Sequence, residues 1–323
     1  IKPGSGLLGQ VFLEGEIAGF TIIGLLIIFS LARGLSSVAA KDVLGKTIPK
    51  TRRGIINGYS ASLAGLLTVL LGSYFIVNNE KPFGPQDFGV LLAFAGIFWI
   101  IAAISYLRIK EFPGDTDGGG NAAIVAFKKL SLLKTDKPFR LFVITRALFL
   151  CSVLSAPFYV IIAQKNNESN LFLLGLFILS SGLASLLSAN FWGKFSDVSS
   201  RKVMIYGATI ATISGFIVFF IDFFYNNLFN TLWIMPLIYF ILNIGYEGIR
   251  VGRKTYLVDL ASGNKRTDYV AVSNTLIGII LLLSGLLGSL GSLIGVGGII
   301  LVLSIFGLIG IILASKLPEV QND

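Results

Sequence analysis

Histidine is absent from the 323 residues, and the single cysteine is Cys151. The chain therefore has no imidazole for a metal site, a proton relay or a histidine-based triad, and one thiol permits no internal disulfide. The nucleotide-binding pattern Gly-x-x-x-x-Gly-Lys-Ser/Thr is also absent. We expect neither an enzyme nor a protein that carries a metal or cofactor.

Charged residues are scarce, at 13% of the chain against about a quarter in soluble domains. Long apolar runs take their place, and a run of about 20 such residues can cross a membrane as a helix. The runs are continuous and not alternating, which favours helices over an outer-membrane barrel. The sequence predicts an all-α polytopic membrane protein with nine transmembrane helices, at about 17–40, 56–77, 88–107, 140–163, 171–192, 203–222, 231–250, 268–290 and 293–314.

The 26 basic residues outnumber the 17 acidic ones. Most of the basic residues lie in alternate loops between the runs, and basic loops stay in the cytoplasm. The positive charge therefore indicates topology, and no nucleic-acid partner is expected. We expect a monomer in a bacterial cytoplasmic membrane, with residue 1 outside and the carboxyl terminus in the cytoplasm.

The longest polar interval divides the nine runs into three and six. We predict a partial first bundle over 1–107, a cytoplasmic linker with a short amphipathic helix over 108–139, and a complete six-helix bundle over 140–323. The amphipathic helix is predicted from "AAIVAFKKLSLL", which follows the flexible stretch "FPGDTDGGGN".

An internal repeat relates the first run to the seventh. Arg33 precedes Asp42 by nine residues, as Arg250 precedes Asp259. In each copy a basic residue then opens the next run, and glycines follow it 12 and 19 positions later. These residues are Arg53, Gly65 and Gly72 in the first copy, and Arg266, Gly278 and Gly285 in the second. If the repeat is real, three further helices are expected before residue 1.

A charged loop, "GKFSDVSSRK" at 193–202, separates the fifth and sixth runs. It resembles the loop pattern Gly-x-x-x-Asp-x-x-Gly-Arg-Lys/Arg of the major facilitator superfamily, with Ser200 in place of the second glycine. The stretches "ARGLSSVAAKDVLGKTIPKTRRGIINGYSASLAG" and "GIRVGRKTYLVDLASGNKRTDYVAVSNTLIG" resemble helices four to five and ten to eleven of that family. The resemblance covers essentially the whole chain, as helices 4–12 of 12, and its loop residues are Gly193, Asp197, Arg201 and Lys202.

The resemblance implies a secondary transporter that moves a small solute by alternating access, with the proton as a candidate coupling ion. It also implies that Asp197 bridges to the other half, at the helix start near Arg52 and Arg53, as a latch that breaks when the inner side opens. Two alternatives stay open: a local turn around Asp197, and a non-transporting scaffold or assembly factor on the same fold.

Charged side chains inside apolar runs are costly and usually face a cavity or a partner. The candidates for contact with the solute or the coupling ion are Arg33, Arg146, Glu247 and Arg250, with Asn243 one helical turn from Glu247. Glu247 is expected either to pair with an arginine, with Arg33 as the first choice, or to carry a proton. The alternative for the arginines is that they extend towards the lipid headgroups.

Overall fold

A computed structural model of the chain describes residues 16–78, 84–110, 129–166, 171–261, 265–284 and 287–321. These residues form helices and connecting turns, without a β-strand among them. The α-helices are α1 (Glu16–Thr47), α2 (Lys50–Val77), α3 (Pro85–Leu107), α4 (Leu132–Thr135), α5 (Lys137–Phe149), α6 (Cys151–Asn166), α7 (Leu171–Phe224), α8 (Ile234–Leu260), α9 (Lys265–Ser284) and α10 (Leu287–Ala314), with a 3₁₀-helix at Asn226–Asn230.

Within these residues, eight helical segments are long and apolar enough to cross a membrane, counting α5 and α6 as one. The chain is therefore a helical membrane protein. The predicted fifth and sixth runs both lie in α7, whose 54 residues span about 80 Å at 1.5 Å per residue, more than twice the hydrocarbon thickness. The backbone of α7 leaves helical geometry at Ser199 (φ −159°, ψ 97°), and this break separates the two runs.

The predicted linker over 108–139 is described only in part. Residues 111–128 lie outside the described residues, so the amphipathic helix that was predicted there stays a prediction. The described part ends in the single turn of α4 and in Asp136, whose carboxylate accepts a hydrogen bond from the Phe139 amide (2.9 Å) and caps the start of α5.

Glycines allow α2 and the first half of α7 to pack backbone against backbone. A Cβ atom at Gly182 would lie 2.6 Å from the Val69 nitrogen, and one at Gly72 would lie 2.5 Å from the Leu179 nitrogen. Gly65 also faces the α7 backbone, at Gly182 and Leu186. Small residues with this spacing are typical of close helix contacts in membranes, and this contact is the main attachment of α1–α3 to the rest of the protein.

The second half of α7 packs on α8 in the same way. A Cβ atom at Gly207 would lie 2.6 Å from the Gly245 carbonyl oxygen. Stacked rings join α8 and α9 to α5, with Phe142 and Tyr256 at 5.2 Å between centroids and Phe139 and Tyr269 at 4.1 Å. The helices from α5 onwards thus share a continuous core.

By contrast, most side chains of α1 and α3 are exposed. Their rings meet edge to face at Phe29 and Trp99 (6.1 Å). The two copies of the repeat are packed differently. Gly65 of α2 is packed against α7, whereas a Cβ atom at Gly278 of α9 would have nothing within 4 Å. Gly285 lies outside the described residues.

These surroundings predict opposite effects for one substitution at two repeat-related glycines. Gly65→Ala should destabilise the protein by about 1–3 kcal/mol, because its methyl group overlaps the α7 backbone. Gly278→Ala, the matched control, should cost nothing, since alanine is the better helix former. Thermal unfolding of both variants in detergent micelles measures the difference, and equal effects would contradict the packing of α2 on α7.

Candidate functional site

The Asp197 carboxylate binds the backbone of another helix. It accepts hydrogen bonds from the amides of Gly54 (2.5 Å) and Ile55 (2.9 Å), near the start of α2. A carboxylate at a helix amino terminus is stabilised by the helix dipole as well as by the amides. The contact joins α7 to α2 and lies where the family resemblance implied, beside Arg52 and Arg53.

Two glycines make this contact possible. A Cβ atom at Gly193 would lie 2.6 Å from the Gly54 carbonyl oxygen, and a Cβ atom at Gly54 would overlap both Gly193 and the Asp197 carboxylate. The glycine of the loop pattern is therefore needed for the approach of the two backbones.

Two arginine–aspartate contacts cross between the copies of the repeat. The Nη1 atom of Arg53 lies 2.5 Å from Oδ1 of Asp259, and the Nη1 atom of Arg266 lies 3.9 Å from Oδ1 of Asp42. Each copy thus gives its arginine to the aspartate of the other copy. We call the end of the protein that holds these residues and Asp197 the charged end.

The two crossed contacts differ in burial and in geometry. The Arg53 side chain is 7% exposed and that of Asp259 is fully buried, and Arg53 also donates to the carbonyl oxygens of Gly45 and Ile48 at the end of α1. The Asp42 side chain is 24% exposed, and Lys46 binds it at 2.6 Å. The Arg53–Asp259 pair is therefore the tighter of the two.

The carboxyl-terminal segment completes the charged end. Gln321 donates to Asp259 (2.8 Å) and accepts from the amide (3.1 Å) and hydroxyl (3.0 Å) of Ser200. Ser199 donates to Glu319 (2.7 Å), and Arg201 donates to the Leu317 carbonyl oxygen (2.8 Å). The serine that departs from the family pattern thus binds the chain's own terminus, a contact that the sequence analysis missed.

Three sequence-predicted residues have no side-chain partner among the described residues. Arg52 and Lys202 are exposed at the charged end. Arg33 is exposed too, and it lines a groove of about 450 Å³ between α1 and α3 together with Trp99 and Tyr106.

The expected pair of Glu247 with Arg33 is wrong. Glu247 is 5% exposed and accepts two hydrogen bonds from Arg250, from Nε at 2.9 Å and from Nη2 at 2.6 Å. Residues three apart share a helix face, so the arginine of the same helix forms the pair. Asn243 does not join it, because its amide group donates to the Tyr239 carbonyl oxygen of its own helix (2.8 Å).

Arg146 points into the protein and not towards the lipid headgroups. It donates to the Ser273 hydroxyl (2.5 Å) and to the Asn274 side-chain oxygen (3.0 Å) of α9, and its Nε atom is buried without a partner. Lys41 and Arg253 lie near Arg146, and Lys254 lies near Lys41. All three lie beyond the ends of the predicted apolar runs. No three His, Cys, Asp or Glu side chains in the described ranges lie close enough to hold a metal ion.

The crossed contacts predict an unequal response to removal of the two aspartates. Asp259→Ala leaves Arg53 buried without its partner and should cost about 3–5 kcal/mol of unfolding free energy. Asp42→Ala breaks a contact of 3.9 Å with Arg266 and a partly exposed pair with Lys46, so it should cost clearly less than Asp259→Ala. Unfolding in detergent micelles measures both values, and a similar loss in the two variants would show that the pairs are equivalent.

Comparisons with protein-family models and with curated proteins found no match for this chain. The resemblance to the major facilitator superfamily therefore stays an expectation from the sequence, based on the loop at 193–202, the internal repeat and the two stretches that resemble helices four to five and ten to eleven of that family.

Proposed function

We propose that the chain is a secondary transporter of the major facilitator type, which moves a small solute across a cytoplasmic membrane by alternating access. Helices α1–α3 form part of one half, and α5–α10 form the other. The charged end faces the cytoplasm, and the halves rock about the contact between α2 and α7.

The observation that carries this proposal is the pair of crossed contacts between repeat-related residues. Arg53 with Asp259 and Arg266 with Asp42 join the two halves at one end, and Asp197 adds a third contact there. All three are polar contacts between different halves, so separation of the halves breaks them together. Buried pairs specify one arrangement more than they stabilise it, which suits a latch that must open.

The α2–α7 contact supports the proposal in a second way. Its glycines bring the backbones of α2 and α7 into close contact, which gives the two halves a shared line of contact about which one can turn on the other. Opening at the charged end then requires that the polar contacts break. These contacts contribute to the free-energy difference between the closed and the open state, which sets the populations of the two states.

The latch role of Asp197 is tested by access to the interior. Asp197→Asn removes the charge from two amide contacts, and a charge-assisted hydrogen bond contributes about 1.5–3 kcal/mol. The inward-open population should therefore rise about tenfold or more. The reporter is Tyr246→Cys, because Tyr246 is a partly buried residue of α8 near Arg253. The measurement is the rate at which a thiol reagent added on the side of the charged end labels this cysteine, in a background where Cys151→Ser removes the native thiol.

Asp268→Asn is the matched control, because Asp268 pairs with Lys129 (2.6 Å), a partly exposed residue that lies on neither α2 nor α7. The control should label at the parental rate. An unchanged rate in Asp197→Asn would leave Asp197 as part of a local structural contact and would favour a non-transporting scaffold.

Glu247 is expected to act as an ion-pair partner, because its carboxylate accepts two hydrogen bonds from the Arg250 guanidinium. Glu247→Gln should then impair both gradient-driven accumulation and exchange of the solute in proteoliposomes. The double variant with Arg250→Gln should recover part of the loss. Loss of accumulation with normal exchange would instead identify Glu247 as the proton carrier, and parental transport with parental pH dependence would exclude both roles.

A further inference from the structure

Five cations lie on α8 and on two helices that contact it, α1 and α5. Arg250, Arg253 and Lys254 share one face of α8, and Lys41 of α1 and Arg146 of α5 both lie within electrostatic range of Arg253. We call them the cationic cluster. All five are at least partly buried. Lys41 belongs to the first half of the protein and the other four to the second, so the cluster bridges the two halves.

The cluster contains one carboxylate, Glu247, which is held by Arg250. Lys41 donates to the Ser37 hydroxyl (3.2 Å), and Arg146 donates to neutral groups of α9. In the part of the chain that the structure describes, the ionised neighbours of Arg253 and Lys254 are Glu247 and the other cations of the cluster. Most of the positive charge is therefore not neutralised by the protein.

Such an arrangement is unfavourable for the protein alone. Like charges repel strongly where water is excluded, and a partly buried cation without a partner loses hydration without compensation. Extension to the headgroups does not relieve the cost for Arg146, whose guanidinium is fixed between α5 and α9. An anion among these side chains would remove the repulsion.

We propose that the cationic cluster binds the negatively charged group of the transported solute, and that this solute is a multivalent anion such as a phosphate ester or a dicarboxylate. The inference rests on the proposed transport function. Five cations against one carboxylate favour more than one negative charge, and guanidinium groups bind phosphate and carboxylate with two parallel hydrogen bonds. Because Lys41 and the α8 cations lie on different halves, the bound anion stabilises the two halves against each other.

The test is calorimetric titration with inorganic phosphate, using the full chain in nanodiscs of phosphatidylcholine at constant ionic strength. Saturable binding is expected. Arg253→Gln and Lys254→Gln should each weaken it about tenfold or more, the effect of one charge-assisted contact. Arg253→Lys keeps the charge and should retain most of the affinity. Lys134→Gln removes an exposed cation outside the cluster and should bind like the parent.

Nanodiscs that contain phosphatidylglycerol distinguish a free solute from a lipid headgroup. If phosphate binds only weakly in phosphatidylcholine, and the cluster variants instead lose stabilisation by phosphatidylglycerol, the headgroup is the ligand and the solute assignment is wrong. Absence of saturable binding, or equal affinity in all folded variants, overturns the proposal. If phosphate binds but Asp197→Asn does not change the accessibility of the interior, the anion site is retained and transport is rejected. If the accessibility changes but phosphate does not bind, the solute is neutral or cationic.

Discussion

The arrangement of the charged end depends on one constraint: ionised groups at the meeting point of two helix bundles must find partners across it. Arg53 satisfies this constraint with Asp259 and with the last carbonyl oxygens of α1. Asp197 satisfies it with the α2 amides. In the proposed transporter both sets of contacts connect the halves, so burial of the charges and closure of this end would be the same event.

Glycine determines how close the halves come. Gly193 and Gly54 bring α7 and α2 near enough for the Asp197 carboxylate to reach backbone amides. Gly65 and Gly182 continue the contact along both helices. The glycines thus allow close backbone contact, and the charged groups specify one relative position of the helices. In the proposed transporter, both features suit a small rotation about this contact. Gln321 accepts a hydrogen bond from Ser200 and donates one to Asp259. It thereby connects the loop at 193–202 to the Arg53–Asp259 pair.

Part of this could be predicted from the sequence. Apolar runs identify membrane helices, and the family resemblance implied a contact of Asp197 with the helix start near Arg52 and Arg53, where its carboxylate binds the Gly54 and Ile55 amides. The partner of Glu247 was predicted wrongly, because Arg250 lies one turn away on the same face of the same helix and forms the pair.

Lys41, Arg253 and Lys254 were missed for a different reason. The apolar runs end near 40 and 250, whereas the helices continue to Thr47 and Leu260, so these cations lie on helices and not in loops. Spacing along the chain also carries no information on contacts between halves, so the crossed arginine–aspartate pairs could not be predicted.

The central claim is that the two halves separate at the charged end when its polar contacts break. Double electron–electron resonance between spin labels at Thr51→Cys and Lys194→Cys, with Cys151→Ser and in nanodiscs, measures this separation directly, since both sites are exposed, one on α2 and the other on α7. The account predicts a dominant short distance in the parent, and a longer one that becomes the major population when Arg53→Ala removes the buried pair. A single short distance that is the same in the two proteins would contradict it.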